Sequence, residues 1–302
     1  MSATILVGVL AAALAQQQPQ TDTTFAVRPG SRVEVESFAG EINVKTWNRD
    51  AVRVQATHGR RDNIEIDARG TSVHIEAEGR MGVPGVVDFL ITVPVAVSLG
   101  LSGVYTNIVV DGVSGDIDAE TVQGAIKVTG GGRLKLESVE GDIIVDRARG
   151  RINANTVNKG IRITNSDGDV EAETVNGPII LQGVGSMHVD LATVNGRVVY
   201  EGALREQGDY AITSHNGPIY VVVPEKTGLN VSVSTFNGEL EASFPISLRD
   251  MSARKRYNFV IGNGGGRLEL ESFSGDIHLR RPGEALPTAL DSGKAKVKVR
   301  VN

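Results

Sequence analysis

The chain has no cysteine, which excludes disulfides and thiolate zinc sites outright. Aromatic residues make up only 4% of it, so few side chains are available as sugar-stacking platforms. Positive charge is not in excess. The 302 residues carry a net charge of −5, which argues against nucleic acid as the main partner. The apolar run from Ile5 to Leu14 is too short to span a bilayer as a mature anchor. No Gly-x-Ser-x-Gly elbow, Walker loop or nucleotide fingerprint is present. The five histidines, His58, His74, His188, His215 and His278, never fall at metal-binding spacing; each reads as satisfied or solvated. No cofactor and no metal is therefore expected.

What the chain has is a repeat. In Val170-Glu-Ala-Glu-Thr-Val-Asn-Gly-Pro-Ile-Ile-Leu181, apolar Val170 and Ala172 alternate with Glu171 and Glu173, as in a strand with one buried face. Thr174 closes that strand, and Asn176-Gly177 reads as a corner because both residues tolerate positive φ. The Ser or Thr that ends each such strand recurs at Thr121, Ser138, Thr156, Thr174, Thr193, Ser214, Thr235 and Ser272, with gaps of 17, 18, 18, 19, 21, 21 and 37. A period near 20 denotes stacked supersecondary units that cannot bury their apolar faces alone. The last gap is about two repeats, so one coil there is irregular. Gly131–Ile143 and Gly265–Ile277 are identical at 10 of 13 positions, and Arg32–Ile42 is a weaker copy. The pattern predicts an all-β fold: a parallel β-solenoid of about eight two-strand coils with an N-terminal antiparallel β cap. Equivalent Thr and Ser hydroxyls should form a hydrogen-bonded ladder, and Asn176, Asn195, Asn216 and Asn237 should stack at the corner.

In order along the chain, Ala13-Leu14-Ala15 ends the first apolar run in a small-x-small cleavage pattern, giving residues 1–15 as a secretory signal peptide. No Lys or Arg precedes the run; the other reading is an uncleaved apolar terminus. Residues 16–24 read as a flexible linker, 25–100 as the cap, 101–281 as the solenoid, and 282–302 as a linker with a basic tail. Glu201–Asp209 widens one corner, and Ser243–Arg256 is a larger insertion.

The corner Gly-Asp acids Asp116, Asp142, Asp169 and Asp276 read as a solvated face. Lys127, Asp142 and Arg162 are candidates for the acid, base and electrophile that parallel β-helix enzymes place on one sheet face, though no spacing clusters them. Positive charge gathers in two places: Arg249, Arg254, Lys255 and Arg256 of the insertion, and Lys294, Lys296, Lys298 and Arg300 of the tail. Solenoid insertions usually map to one face, often the binding face, so these eight are the candidate contact for an anionic envelope polymer or lipid headgroup. Otherwise they are solvated loops, or 296–301 pairs as an edge strand whose lysines discourage aggregation.

The run Asp88-Phe-Leu-Ile-Thr-Val-Pro94, leading into repeated [Ser/Thr]-x-x-Gly-x-Ile units, resembles the bacterial "putative adhesin" β-solenoid domain family of unknown function. Thr174-Val-Asn-Gly177 and Thr193-Val-Asn-Gly196 are its clearest marks. The resemblance covers roughly residues 30–281 and implies an exported, periplasmic, secreted or envelope-associated bacterial protein with no catalytic residues to assign. The expected function is a non-enzymatic adhesin-like interaction or scaffold module binding an envelope protein, polysaccharide or anionic lipid surface. The alternative is a carbohydrate-active enzyme, a polysaccharide lyase or hydrolase on a parallel β-helix.

Overall fold

The computed structural model describes residues 21–79, 82–246, 248–252, 255–288 and 290, and all regular structure among them is β-strand. Each repeat contributes a strand of five to seven residues, ending at the marker Ser or Thr, to one wall, and a strand of three to six residues to a second wall. Within the first wall the strands are parallel and in exact register, so that Thr156, Thr174, Thr193 and Ser214 pair in succession. The inward residues Val170/Ala172, Val189/Leu191 and Tyr210/Ile212 are all buried. From the second wall Ile143, Ile161, Ile179 and Val198 meet them in a single core. Period-2 alternation produces this arrangement: one residue of every pair points between the walls and the other points out.

Stack order departs from chain order at both ends. Gly266–Ser272 pairs on one side with Asp209–Ser214 and on the other with Leu229–Thr235. Ile277–Arg280 likewise lies between Ile219–Val222 and Leu240–Ala242. The last coil is thus inserted between two that precede it, after the chain has turned back through the antiparallel pair Leu248–Ser252 and Arg256–Ile261. This detour accounts for the 37-residue gap. At the other end Arg32–Trp47 bends around both walls, parallel to Ser98–Asp111 on one side and to Ser72–Gly79 and Val86–Pro94 on the other. Antiparallel strands Asp62–Arg69, Ala51–Thr57 and Thr21–Ala26 close that end. The cap region therefore combines an antiparallel layer with coils already in parallel register.

The corner between the walls is held differently from the expectation. The hydroxyls do not bond to one another. Thr174 Oγ1 donates to the Lys159 carbonyl (2.9 Å), Thr193 Oγ1 to Gly177 (3.0 Å) and Ser214 Oγ to Gly196 (3.0 Å), in each case the corner carbonyl of the previous coil. Ser214 Oγ also accepts from the Gly217 amide at 3.0 Å. The corner glycines do not use positive φ either. A Cβ on Gly196 would strike the Gly177 carbonyl oxygen, and one on Gly217 the Gly196 carbonyl; close approach of successive corners is what requires glycine. Positive φ occurs at the opposite corner, at Gly130, Arg147 (56°), Asn165 (49°) and Gly183. The Gly-Asp acids are not merely solvated: Asp142 accepts the Gly160 amide (2.9 Å), Asp276 the Glu239 amide (3.0 Å) and Asp116 the Arg133 amide (3.2 Å).

At the widened corner, Tyr200 and Tyr210 are buried with ring centroids 5.8 Å apart. Tyr210 Oη accepts the Arg205 amide at 2.7 Å and tethers the loop. After Arg281 the chain crosses the outside of the second wall. Arg197 Nε donates to the Pro287 carbonyl (2.9 Å), Arg162 donates to the Thr288 carbonyl, and the outward-facing Ile180 and Val199 are fully buried.

Two substitutions test this packing. Ile179→Asp should cost several kcal/mol, because it places an unpaired carboxylate in the core. Thr193→Val should cost about 1–2 kcal/mol by removing the hydroxyl bond to the Gly177 carbonyl. Denaturant unfolding at constant m-value measures both.

Candidate functional site

The residue after each marker Ser or Thr faces solvent at the corner. Backbone bonds between successive coils fix these residues in one line: Asn158 donates to the Val139 carbonyl, Asn176 to Val157, Asn195 to Val175, Asn216 to Val194, Ser274 to His215 and Asn237 to Phe273. The line reads Val122, Val139, Val157, Val175, Val194, His215, Phe273, Phe236. Its valines are 38–48% exposed, Phe273 is 44% and Phe236 65% exposed. Seven steps of about 4.8 Å make a stripe roughly 34 Å long. At one end His215, Phe273 and Phe236 stack face to face, with centroids 4.8 and 5.0 Å apart. At the other end Phe38 meets Tyr105 edge-on at 5.5 Å.

Beside the stripe runs a groove whose other wall is the outward residue just before each marker. Register aligns Glu36, Ser102, Glu120, Glu137, Asn155, Glu173, Ala192, Thr213, Glu271 and Ser234. Three concavities of about 360, 450 and 790 Å³ follow one another along it and share lining residues Gly103, Glu120, Asn155 and Thr156. Among the described residues, the lining carries the carboxylates of Glu36, Glu76, Glu120, Glu137, Glu173 and Glu271 and the guanidinium of Arg256. The acidity of this wall is felt nearby. Lys135, 3.1 Å from Glu137, has its ammonium raised above the ordinary value by that carboxylate, with Asp118 and Glu120 adding to the effect.

Outside the groove, an amide ladder borders the corner. Asn176 Nδ2 donates to Asn158 (2.9 Å), Asn195 to Asn176 (2.8 Å) and Asn216 to Asn195 (2.7 Å). Asn237 does not follow Asn216, because the inserted coil puts Ser274 between them. Glu36, His74 and Glu76, on neighbouring strands, bring one ligand atom each within 4.8 Å. Sequence spacing hid this group because Glu36 lies 38 positions before His74 in the chain. The three side chains are partly or fully open to solvent, and His74 lies 3.6 Å from Glu76, an ion-pair distance.

The enzyme-like trio does not converge. Lys127 and Arg162 stand two coils apart with Ile144 between them, and Asp142 is engaged at the corner. Of the expected basic contact, Lys255 donates to the Gly238 carbonyl at 3.1 Å and Arg256 lines the aromatic end of the groove. Arg249 sits on the outermost strand of the first wall, Leu248–Ser252. Arg254, Lys294, Lys296, Lys298 and Arg300 lie outside the described residues. The apolar stripe itself was in view in the sequence as the Val of Thr-Val-Asn-Gly, but its aromatic end joins positions 215, 236 and 273, which only the reordered coils bring together.

The family model described as Toastrack DUF4097 matches residues 17–280. No curated protein matches the chain. Among solved structures, a "putative adhesin" from Parabacteroides merdae ATCC 43184 aligns over 86% of this chain and 95% of its own, at 10% identity and a TM-score of 0.40. Another, from Parabacteroides distasonis ATCC 8503, covers 86% and 96% at 11% identity and 0.40. A "putative cell adhesion protein" from Clostridium sporogenes ATCC 15579 covers 86% and 99% at 10% identity and 0.25.

If the stripe is a contact surface and not a packing element, removing its most exposed ring should barely disturb the fold. Phe236→Ser should shift unfolding free energy by about 1 kcal/mol, the worth of its stacking on Phe273 and far below the cost of a core truncation. Thermal or denaturant unfolding measures it.

Proposed function

Because the chain belongs to the Toastrack DUF4097 family, whose model matches residues 17–280, we propose that it is a non-enzymatic, adhesin-like interaction module of the bacterial envelope, with the corner groove as its contact surface. The observation that carries this reading is the exposed stripe of five valines continued by the stacked rings of His215, Phe273 and Phe236. A solenoid needs apolar residues between its walls; it does not need them at seven of eight successive corners facing water, and contiguous patches of this kind mark interaction sites. The stacked Phe236, Phe273 and His215 supply rigid aromatic area, the side-chain type enriched at binding hot spots. Arg256 beside them is the member of the expected basic set placed to meet an anionic group on a partner. A non-enzymatic role is supported by the marker hydroxyls of Thr174, Thr193 and Ser214, each spent on a backbone carbonyl instead of facing a base.

Binding of the purified intact protein to isolated bacterial envelopes tests the reading. Val175→Glu with Val194→Glu should leave the melting temperature nearly unchanged and weaken binding by about tenfold or more, since a charge is forced into an apolar contact. Undiminished binding would remove the groove as the contact surface. Export is part of the same proposal: N-terminal sequencing of protein made in a bacterial host should begin at Gln16, and a chain retaining Met1 would overturn it.

A further inference from the structure

We propose that Glu36, His74 and Glu76, at the capped end of the stack, form a site for one divalent cation of the zinc class. The site holds whether or not the groove is a contact surface. Strand register builds it. In the parallel pair Arg32–Trp47 and Ser72–Gly79, Glu34 lies directly opposite His74 and Glu36 directly opposite Glu76. Alternation puts all four side chains on the same outer face. Asp62–Arg69, antiparallel on the far side, sets Glu65 opposite Glu76 and Asp67 opposite His74. The imidazole is therefore flanked by carboxylates from both neighbouring strands and from its own.

One ligand atom from each of Glu36, His74 and Glu76 lies within 4.8 Å of the other two, and among the described residues no other three such donors converge so closely. Donors around a tetrahedral ion with bonds near 2.1 Å stand roughly 3.4 Å apart. His74 Nε2 is 3.6 Å from Glu76 Oε2, so that pair is nearly set. Glu36 completes the trio by rotating its solvent-exposed side chain, with no movement of the backbone. The other ring nitrogen, Nδ1, faces Glu34 at 3.9 Å. A carboxylate behind the second nitrogen is the common support of a metal-bound imidazole, where it fixes the tautomer and raises the basicity of the ligand.

Charge also calls for a cation here. Arg32 Nε is engaged by Glu34 at 2.9 Å and Arg69 Nη2 by Asp67 at 2.9 Å. Among the described residues, Glu36, Glu65 and Glu76 have no Lys or Arg at ion-pair distance. These three stand in one row across three adjacent strands, and like charges directly opposite one another destabilise a sheet. A dication between Glu36 and Glu76 relieves that repulsion and ties the two strands together. The donors select the ion: calcium and magnesium take oxygen ligands, whereas a ring nitrogen with two carboxylates suits zinc and its first-row neighbours. Water completes the coordination on the solvent side.

The test is calorimetric titration of zinc into the full-length, untagged, chelator-treated protein, with Co2+ absorption in the visible reading the coordination. One saturable equivalent is expected. His74→Ala and Glu36→Gln should each weaken it about tenfold or more, and about a hundredfold excess of magnesium should not displace it. His188→Ala is the comparison and should change nothing: His188 is exposed among Asp169, Asp190 and Asp209, but no three donors converge there. Zinc should raise the melting temperature of the native chain and not of His74→Ala, because a ligand bound by the folded state alone stabilises it. Without metal, His74→Ala should melt within about 2 °C of the native chain; if it does not fold, Glu36→Gln, which keeps the size and exposure of the side chain, decides the matter. Absence of a saturable equivalent, unchanged affinity in the folded variants, an equal loss in His188→Ala or displacement by magnesium would each overturn the proposal.

Discussion

Each coil completes the one before it. A single coil leaves a row of amides and carbonyls open on both sides and buries little apolar area, so every repeat depends on being stacked in exact register. The corner bond makes that dependence local. The hydroxyls of Thr174, Thr193 and Ser214 reach back to corner carbonyls of the previous coil, and the glycine that follows leaves room for that carbonyl. A larger residue there would push the coils apart; a valine at the marker would leave the carbonyl short of its side-chain partner. The spacing along the corner is therefore fixed by hydrogen bonds buried beneath it, and the residues displayed on its outer side inherit that spacing.

Both ends of the stack are finished by inserting a coil out of order. Arg32–Trp47 is flanked by later strands, and Gly266–Ser272 by earlier ones. An inserted coil cannot peel away as a terminal coil can, because strands on both sides hold it. The outermost strands are then antiparallel or short: Asp62–Arg69 carries charge, and Leu240–Ala242 has three residues. These features discourage further edge-to-edge addition. The rod is thereby limited in length, and the groove, which follows the corner from Phe38 to Phe236, is limited with it.

Much of the fold was legible in the sequence. The alternation Val170/Ala172 against Glu171/Glu173, repeated at a period near 20, already specified parallel strands with one buried face. The same alternation also announced the carboxylate wall. Three things were not legible. The near-identical units ending at Ser138 and Ser272 have the same local pattern, and nothing in that pattern tells which neighbours each will pair with, so the inserted coil had to be seen. The marker hydroxyls and corner glycines were recognised, but their partners are backbone atoms of another coil, which leave no trace in residue type. The stripe was visible one valine at a time; it became a surface only when register put those valines in line and brought Phe236 and Phe273 to 5.0 Å.

For the groove to serve as a contact surface, the corner must be rigid and preformed instead of a row of loops. Amide hydrogen exchange of the intact protein in dilute buffer measures this directly at Glu140, Asn158, Asn176, Asn195 and Asn216, whose amides bond from coil to coil. Their protection should match that of core amides in the first wall and be uniform along the stack, because opening one would require separating two coils. Exchange at these amides as fast as in exposed turns, with the wall strands still protected, would contradict it.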